Sequence, residues 1–184
     1  MRRRVGCVLA AAGAFSALGA GVLAVRQALS NPLDGRLGGH VAPFDRVLPT
    51  RVESSGQRRI FLIPEGRLLL DLTAGGRVRQ ITLGRDRSVN ETWEPDPRDW
   101  TIDVARGLAA RYVPRDARLL RSEPFVFLDR EAGTRDVYRS QSLSTLFSAD
   151  DYAAFAAAGP PGTCAATYYR TTTAGVAFLL VGLQ

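Results

Sequence analysis

The hydrophobic and polar residues divide the chain into three stretches. Residues 5–25 form a run of 21 residues without a charge, directly after Arg2, Arg3 and Arg4. Residues 29–57 contain prolines and glycines and no sustained apolar period. From Arg58 onward, short apolar runs alternate with turn residues. We therefore predict a signal peptide or membrane anchor over residues 1–28, a flexible linker over 29–57 and a globular domain over 58–184.

The N-terminal stretch has the pattern of an export signal. About 20 apolar residues can span the hydrocarbon layer of a bilayer, whereas a secretory signal has a shorter apolar centre and a small-residue cleavage site. Ala24 offers such a site, so both outcomes stay open. We predict either a membrane anchor with the C-terminal domain outside the cytoplasm, or secretion after cleavage near Ala24. The predicted membrane contact is made through this segment alone.

Apolar runs in the domain predict an antiparallel sheet. Residues 60–63 and 68–72 flank a turn at 64–66, and a third strand follows at 77–83. These connections are too short for a parallel crossover, so the three strands form a meander. The last apolar run, 176–183, is too short to cross a bilayer and is predicted to be a central, buried strand.

Two helices and further strands complete the predicted domain. Thr101 suits an N-cap, and apolar residues at helical spacing follow it as far as Pro114. Ser148, with acids in the next turn, opens a second helix that closes at Gly159. Strands are predicted at 118–121, 124–129 and 137–142, the last two joined by a turn at 131–134. The order predicts an α+β fold: a single antiparallel sheet of about six to eight strands with two short helices, preceded by an N-terminal signal or anchor helix.

Composition excludes several kinds of chemistry. All 24 basic residues are arginine, His40 is the only histidine, and Cys7 and Cys164 are the only cysteines. A Schiff-base or phosphate-loop lysine is therefore excluded, and the predicted domain has no histidine to activate a nucleophile. We predict no metal and no cofactor, assign no catalytic residue, and interpret Cys164 as a small buried side chain.

An acidic stretch with two tryptophans is the first candidate site. Carboxylates beside aromatic rings can bind a sugar, a cation or a cationic peptide. The ligand-binding residues predicted on this basis are Trp93, Glu94, Asp96, Asp99 and Trp100. The alternative interpretation is an extended connector whose tryptophans cap the core.

A basic stretch is the second candidate. Residues 58–87 carry seven arginines against three acids, within a chain of formal net charge +6. Arginine binds phosphate and carboxylate groups bidentately, so Arg77 and Arg79 are predicted anion-binding residues. Nucleic acid is disfavoured as a partner, because Phe61 alone provides no stacking platform for bases. A solvated face is the alternative interpretation.

These patterns favour a non-catalytic, exported or membrane-tethered binding module at the cell envelope, whose partner is an envelope protein or a small ligand. The alternative is an extracytoplasmic, carboxylate-dependent hydrolase acting on glycans, with Glu91, Glu94, Asp96 or Asp99 as its acids. The pattern leaves the ligand and the oligomeric state open.

Overall fold

The computed structural model describes residues 31–48, 51–84, 98–170 and 175–184, with the backbone alone for 51–55. Leu33–Gln184 forms one compact unit. The predicted signal or anchor segment lies outside the described residues. Within the described ranges, no helix is long and apolar enough to cross a membrane.

Strands dominate the described part of the chain, and the helices between them are short. The elements in chain order are α1 (Ala42–Val47), β1 (Arg51–Ser55), β2 (Arg58–Ile63), β3 (Gly66–Leu72), β4 (Val78–Gly84), α2 (Ile102–Ala109), β5 (Arg118–Phe127), β6 (Arg130–Arg139), α3 (Gln141–Leu146), α4 (Ala149–Ala154), β7 (Thr163–Arg170) and β8 (Val176–Leu183).

The strands form one open antiparallel sheet in the order β1-β2-β3-β4-β8-β7-β6-β5. It consists of two four-stranded meanders, β1–β4 and β5–β8, joined where β4 pairs with β8 and Ile81 lies opposite Val181. The predicted α+β class with a single antiparallel sheet is confirmed. The final apolar run is the central strand β8, as predicted, while β1 and β5 are the edges.

One hydrophobic core covers a single face of the sheet. Phe61, Leu68 and Leu83 lie on this face of neighbouring strands, because the register places each of them opposite the next and paired residues point to the same side of the sheet. The helices add Leu108 and Leu143 to the same cluster. These short helices are stable in the fold because tertiary packing rather than helix propensity provides most helical stability in proteins.

The segment before β1 also packs on the sheet. Leu37 is fully buried and Phe44 is 5% exposed. The Leu37 N–H donates to the Tyr112 carbonyl, and the Gly38 N–H donates to that of Val78. The compact unit thus starts earlier than the boundary drawn at residue 58 from the sequence, because its buried residues stand among glycines at irregular spacing and give no periodic signal.

The hairpin of β5 and β6 differs from the sequence prediction. Its turn lies at Leu128 and Asp129, with φ values of 50° and 61°, so the turn predicted at 131–134 is wrong. Gly133 lies within β6, where a Cβ would overlap the Tyr168 carbonyl. Leucine in the left-handed region costs about 1 kcal/mol and gives no turn signal, which explains why the pattern did not reveal the turn.

Capping residues set the helix starts. The Thr101 hydroxyl accepts from the Val104 N–H, and Ser148 forms a capping box with Asp151, so both predicted starts are confirmed. The sequence did not predict α1 and α3, which are each six residues long. The predicted strand 137–142 ends at Arg139, because Ser140 caps α3 instead.

Candidate ligand pocket

A pocket lies where the turn between β3 and β4 faces the α3–α4 segment. Its volume is about 400 Å³, within the range of small-molecule sites. The lining residues, hereafter the Arg77 pocket, are Thr73, Ala74, Gly75, Arg77, Leu146, Phe147, Asp151 and Phe155.

The β3–β4 turn positions Arg77. The Thr73 hydroxyl accepts from the Arg77 N–H at 3.1 Å, and the Thr73 carbonyl accepts from the Gly76 N–H at 2.9 Å. Gly76 has φ of 71°, a left-handed conformation that glycine adopts at no steric cost. These local bonds close the turn and place Arg77 at the first residue before β4.

Two aromatic rings form the apolar wall. Phe147 and Phe155 contact edge to face, with ring centroids 6.0 Å apart and an angle of 86° between the planes. Phe147 is 5% exposed and belongs to the core, whereas Phe155 is partly exposed. Leu146 extends the same wall. Because Phe147 is anchored in the core, the wall is a rigid surface for an apolar ligand group.

The basic side chains at the pocket have few partners. The Arg77 guanidinium donates one hydrogen bond within the described residues, from Nη1 to the Gly38 carbonyl at 3.3 Å. The Arg79 guanidinium lies over the Phe155 ring, 5.6 Å from its centroid, and its buried Nε has no partner in the described structure. Among the described residues, neither arginine forms an ion pair with a carboxylate.

The carboxylate of Asp151, in contrast, has partners within its own helix start. One of its oxygens accepts from the Ser148 backbone N–H and from the Ser148 hydroxyl, each at 2.8 Å. The bond from the Ser148 N–H, followed by that from its hydroxyl, lowers the pKa of Asp151. The pocket therefore contains a carboxylate that is ionised at neutral pH and has one oxygen bound to Ser148.

No protein-family model, curated protein sequence or solved structure matches this chain.

A second polar cluster joins α2 to the sheet. Asp136, 2% exposed, accepts from Arg106 Nε at 3.0 Å and Nη2 at 3.2 Å, and from the Ser122 hydroxyl at 2.5 Å. The hydrogen bond to Asp136 raises the pKa of Arg106. Although a serine beside a carboxylate resembles a nucleophile and base, both oxygens of Asp136 are occupied. The cluster therefore fixes α2 against β5 and β6.

The acidic candidate site lies largely outside the described structure. Trp93, Glu94 and Asp96 fall there, as does Glu91. Trp100 is 5% exposed, and its backbone pairs with Val176 of β8. Such burial leaves no ring face open for stacking on a ligand. Asp99, partly buried, lies beside Gly175, where a Cβ would come within 2.7 Å of the Asp99 Cβ.

Other reactive residue types do not build a site in the described structure. Cys164 is fully buried and free, and burial raises the pKa of its thiol to about 12, so it is no nucleophile. His40 is exposed beside Gly76, near the Arg77 pocket. No three histidine, cysteine or acidic side chains gather in the described ranges as a metal site would require.

The two basic candidates lie together. Arg77 lines the pocket and Arg79 lies over one of its rings. Sequence reasoning missed Leu146, Phe147 and Phe155, and it favoured a helix-capping role for Asp151 over a role as one of two paired carboxylates. Phe147 follows α3 and Phe155 follows α4, so no helical period joins them, and only the Ser148 cap marks the break between them.

Proposed function

We propose that the protein is an exported or membrane-tethered, non-catalytic binding module, and that the Arg77 pocket is its ligand site. The observation that carries the proposal is how few partners the Arg77 side chain has. Arg77 lines a pocket of about 400 Å³, and within the described residues its guanidinium makes one long hydrogen bond, to Gly38. An apolar pocket with a few converging polar groups is the usual form of a small-molecule site.

The roles of the buried acids support binding rather than catalysis. Asp71 accepts from Arg58 and Gln80, and Asp136 accepts from Arg106 and Ser122. Both carboxylates are therefore engaged by donors of the fold itself, and their contacts join neighbouring elements.

The alternative function, hydrolysis of glycans, needs two carboxyl groups that face each other across a cleft. The Arg77 pocket has a single carboxylate, that of Asp151. The acids that the sequence predicts for this alternative are Glu91, Glu94, Asp96 and Asp99. The hydrolase function stays a prediction.

A turnover assay separates the two functions. The full chain, reconstituted in phosphatidylcholine nanodiscs, is incubated with panels of glycan, ester and peptide substrates. We expect no turnover, and the same result for Glu94→Gln. Turnover that is lost on replacing Glu94 or Asp96 would overturn the proposal in favour of the hydrolase.

Mass spectrometry of the N-terminus tests the cellular location. An intact segment with Arg2, Arg3 and Arg4 in the membrane fraction is expected for an anchor, and a soluble chain that starts near Val25 is expected for a released protein. A full-length chain in the cytoplasmic fraction would contradict export.

A further inference from the structure

We propose that the Arg77 pocket selects an amphiphile with one negative charge, which is an apolar group bearing a carboxylate or a phosphodiester. This inference rests on the proposed binding function and adds the charge of the ligand. It follows from the charges at the pocket, where the positive charges of Arg77 and Arg79 outnumber the negative charge of Asp151.

The Arg77 guanidinium has N–H donors that remain available to a ligand. A guanidinium has five N–H donors in a planar fork that fits two oxygens of an acid group. Toward the part of the chain that the structure describes, the Arg77 guanidinium uses one donor, at 3.3 Å to Gly38. An anionic oxygen is the acceptor that such a fork binds most strongly, because charge-assisted bonds are about twice as strong as neutral ones.

Arg79 adds a second positive charge at the same ring. Arg79 lies in β4, two residues after Arg77, and its guanidinium lies over the ring of Phe155, which lines the pocket together with Arg77. The buried Nε of Arg79 has no acceptor within the described structure. Two guanidinium groups near one aromatic ring favour an anion that reaches this wall.

Asp151 limits the charge of the ligand to one. One of its carboxylate oxygens already accepts two hydrogen bonds from Ser148, and the carboxylate keeps its negative charge at the pocket. Together Arg77, Arg79 and Asp151 carry one net positive charge. A second negative charge on the ligand would be repelled by Asp151, whereas a single one completes the neutralisation.

Leu146, Phe147 and Phe155 define the other half of the ligand. Their side chains offer an apolar wall but no hydrogen-bond donor or acceptor. An aromatic ring or acyl chain would bury this wall, and a purely polar anion such as inorganic phosphate would leave it in water. The ligand is therefore an amphiphile.

The turn that forms the pocket is bonded to the segment that precedes the sheet. Gly38 accepts from Arg77, and the Val41 N–H donates to the Gly76 carbonyl. The chain thus passes the pocket soon after the predicted membrane segment. An acidic lipid headgroup and a free amphiphile share the required chemistry, and the experiment separates these two sources.

The test uses three probes that share one ring and differ in charge. Full-length protein in phosphatidylcholine nanodiscs is titrated with 2-naphthoate, neutral 2-naphthamide and cationic 2-naphthylmethylammonium, followed by ligand-observed NMR. Empty nanodiscs correct for partition into lipid. We expect naphthoate to bind about tenfold more tightly than naphthamide, and the cation to bind most weakly.

Matched variants assign this preference to Arg77. Arg77→Gln should abolish the preference for naphthoate and retain the weaker binding of naphthamide. Arg118→Gln, which removes an exposed arginine on the edge strand β5, should leave all three affinities unchanged. Replacing part of the phosphatidylcholine by phosphatidylglycerol should weaken naphthoate binding if the natural ligand is a lipid headgroup, and should not change it if the ligand is a free amphiphile.

Three results would overturn the inference. Equal affinities for naphthoate and naphthamide would show a binding pocket without charge selection, in which case the proposed binding function stands and the inference fails. Strongest binding of the cation would assign the recognition to Asp151. Absence of binding by all three probes would remove the inference and the proposed ligand site together.

Discussion

The protein contains two arginine sites of opposite construction. At the α2 cluster, Arg106 meets Asp136 in a bidentate contact, and the carboxylate is 3% exposed. At the second site, Arg77 lines the pocket, and its guanidinium has one backbone acceptor among the described residues. Residue type is the same at both sites, but the partners differ. The comparison teaches that a satisfied arginine fixes an element in place, whereas an arginine with unused donors beside an apolar wall is suited to a ligand.

The largest stability effect is expected at the satisfied site. Arg106→Ala should lower the free energy of unfolding by about 2–3 kcal/mol, because it leaves the buried carboxylate of Asp136 without its charge partner. Urea unfolding followed by the fluorescence of buried Trp100 measures this loss.

Arg111→Ala is the matched control for that loss. Arg111 also pairs with a carboxylate, that of Glu65 at 2.6 Å, but its side chain is 60% exposed. Exposed pairs contribute about 0.2–1 kcal/mol. Equal losses in the two variants would show that the burial of Asp136 does not matter and would break the comparison.

An intermediate effect is expected at the start of α3, which leads into one wall of the pocket. Asp116 accepts from the Ser140 hydroxyl and the Ser142 N–H, each at 2.8 Å. Burial acts to raise the pKa of Asp116, but the Ser142 N–H and the Ser140 hydroxyl together outweigh it and lower the pKa. Asp116→Asn should therefore destabilise the domain by about 1 kcal/mol at pH 7, because the carboxyl is partly exposed and screened by water.

The pH dependence checks the sign of this effect. Because the pKa is lower in the folded state, the ionised carboxylate contributes its stability above the unfolded pKa of about 3.9 and loses it as the pH falls through the folded value. The difference between the parent protein and Asp116→Asn should therefore shrink below about pH 4. A difference that grows on acidification would contradict the assignment.

The smallest stability effect is expected at the pocket. Arg77→Gln removes one long hydrogen bond and no ion pair with a described carboxylate, so the free energy of unfolding should change by less than about 0.5 kcal/mol. Urea midpoints of the two proteins provide the measurement. A loss as large as that of Arg106→Ala would show that Arg77 has a structural role.

The sequence predicts the strands and helix starts of the molecule better than it predicts the pocket. Apolar runs bounded by turn residues predict the strands of the first meander and β8. Capping residues predict the helix starts at Thr101 and Ser148. Both kinds of signal lie within a few residues of the element that they predict. Charge clustering draws attention to Arg77 and Arg79. It cannot show that Phe155 meets them, because this contact depends on tertiary packing between the β3–β4 turn and a helix end about 80 residues away.

The β5–β6 turn was misplaced for a physical reason. It uses Leu128 where a glycine or asparagine is expected, so turn chemistry pointed to residues around Gly133 instead. For Trp100 the sequence left two interpretations open, a ligand-binding ring or a ring that caps the core. Trp100 is 5% exposed and its backbone bridges to Val176, which agrees with the second interpretation.

The measurement that tests the account most directly is the effect of 2-naphthoate on the urea midpoints of the parent protein and Arg77→Gln. A ligand that binds only the folded state stabilises it in proportion to the logarithm of its concentration over Kd. We predict equal midpoints without ligand, and an increase with naphthoate in the parent protein alone. Equal increases in both proteins, or a much lower midpoint for Arg77→Gln without ligand, would contradict the account.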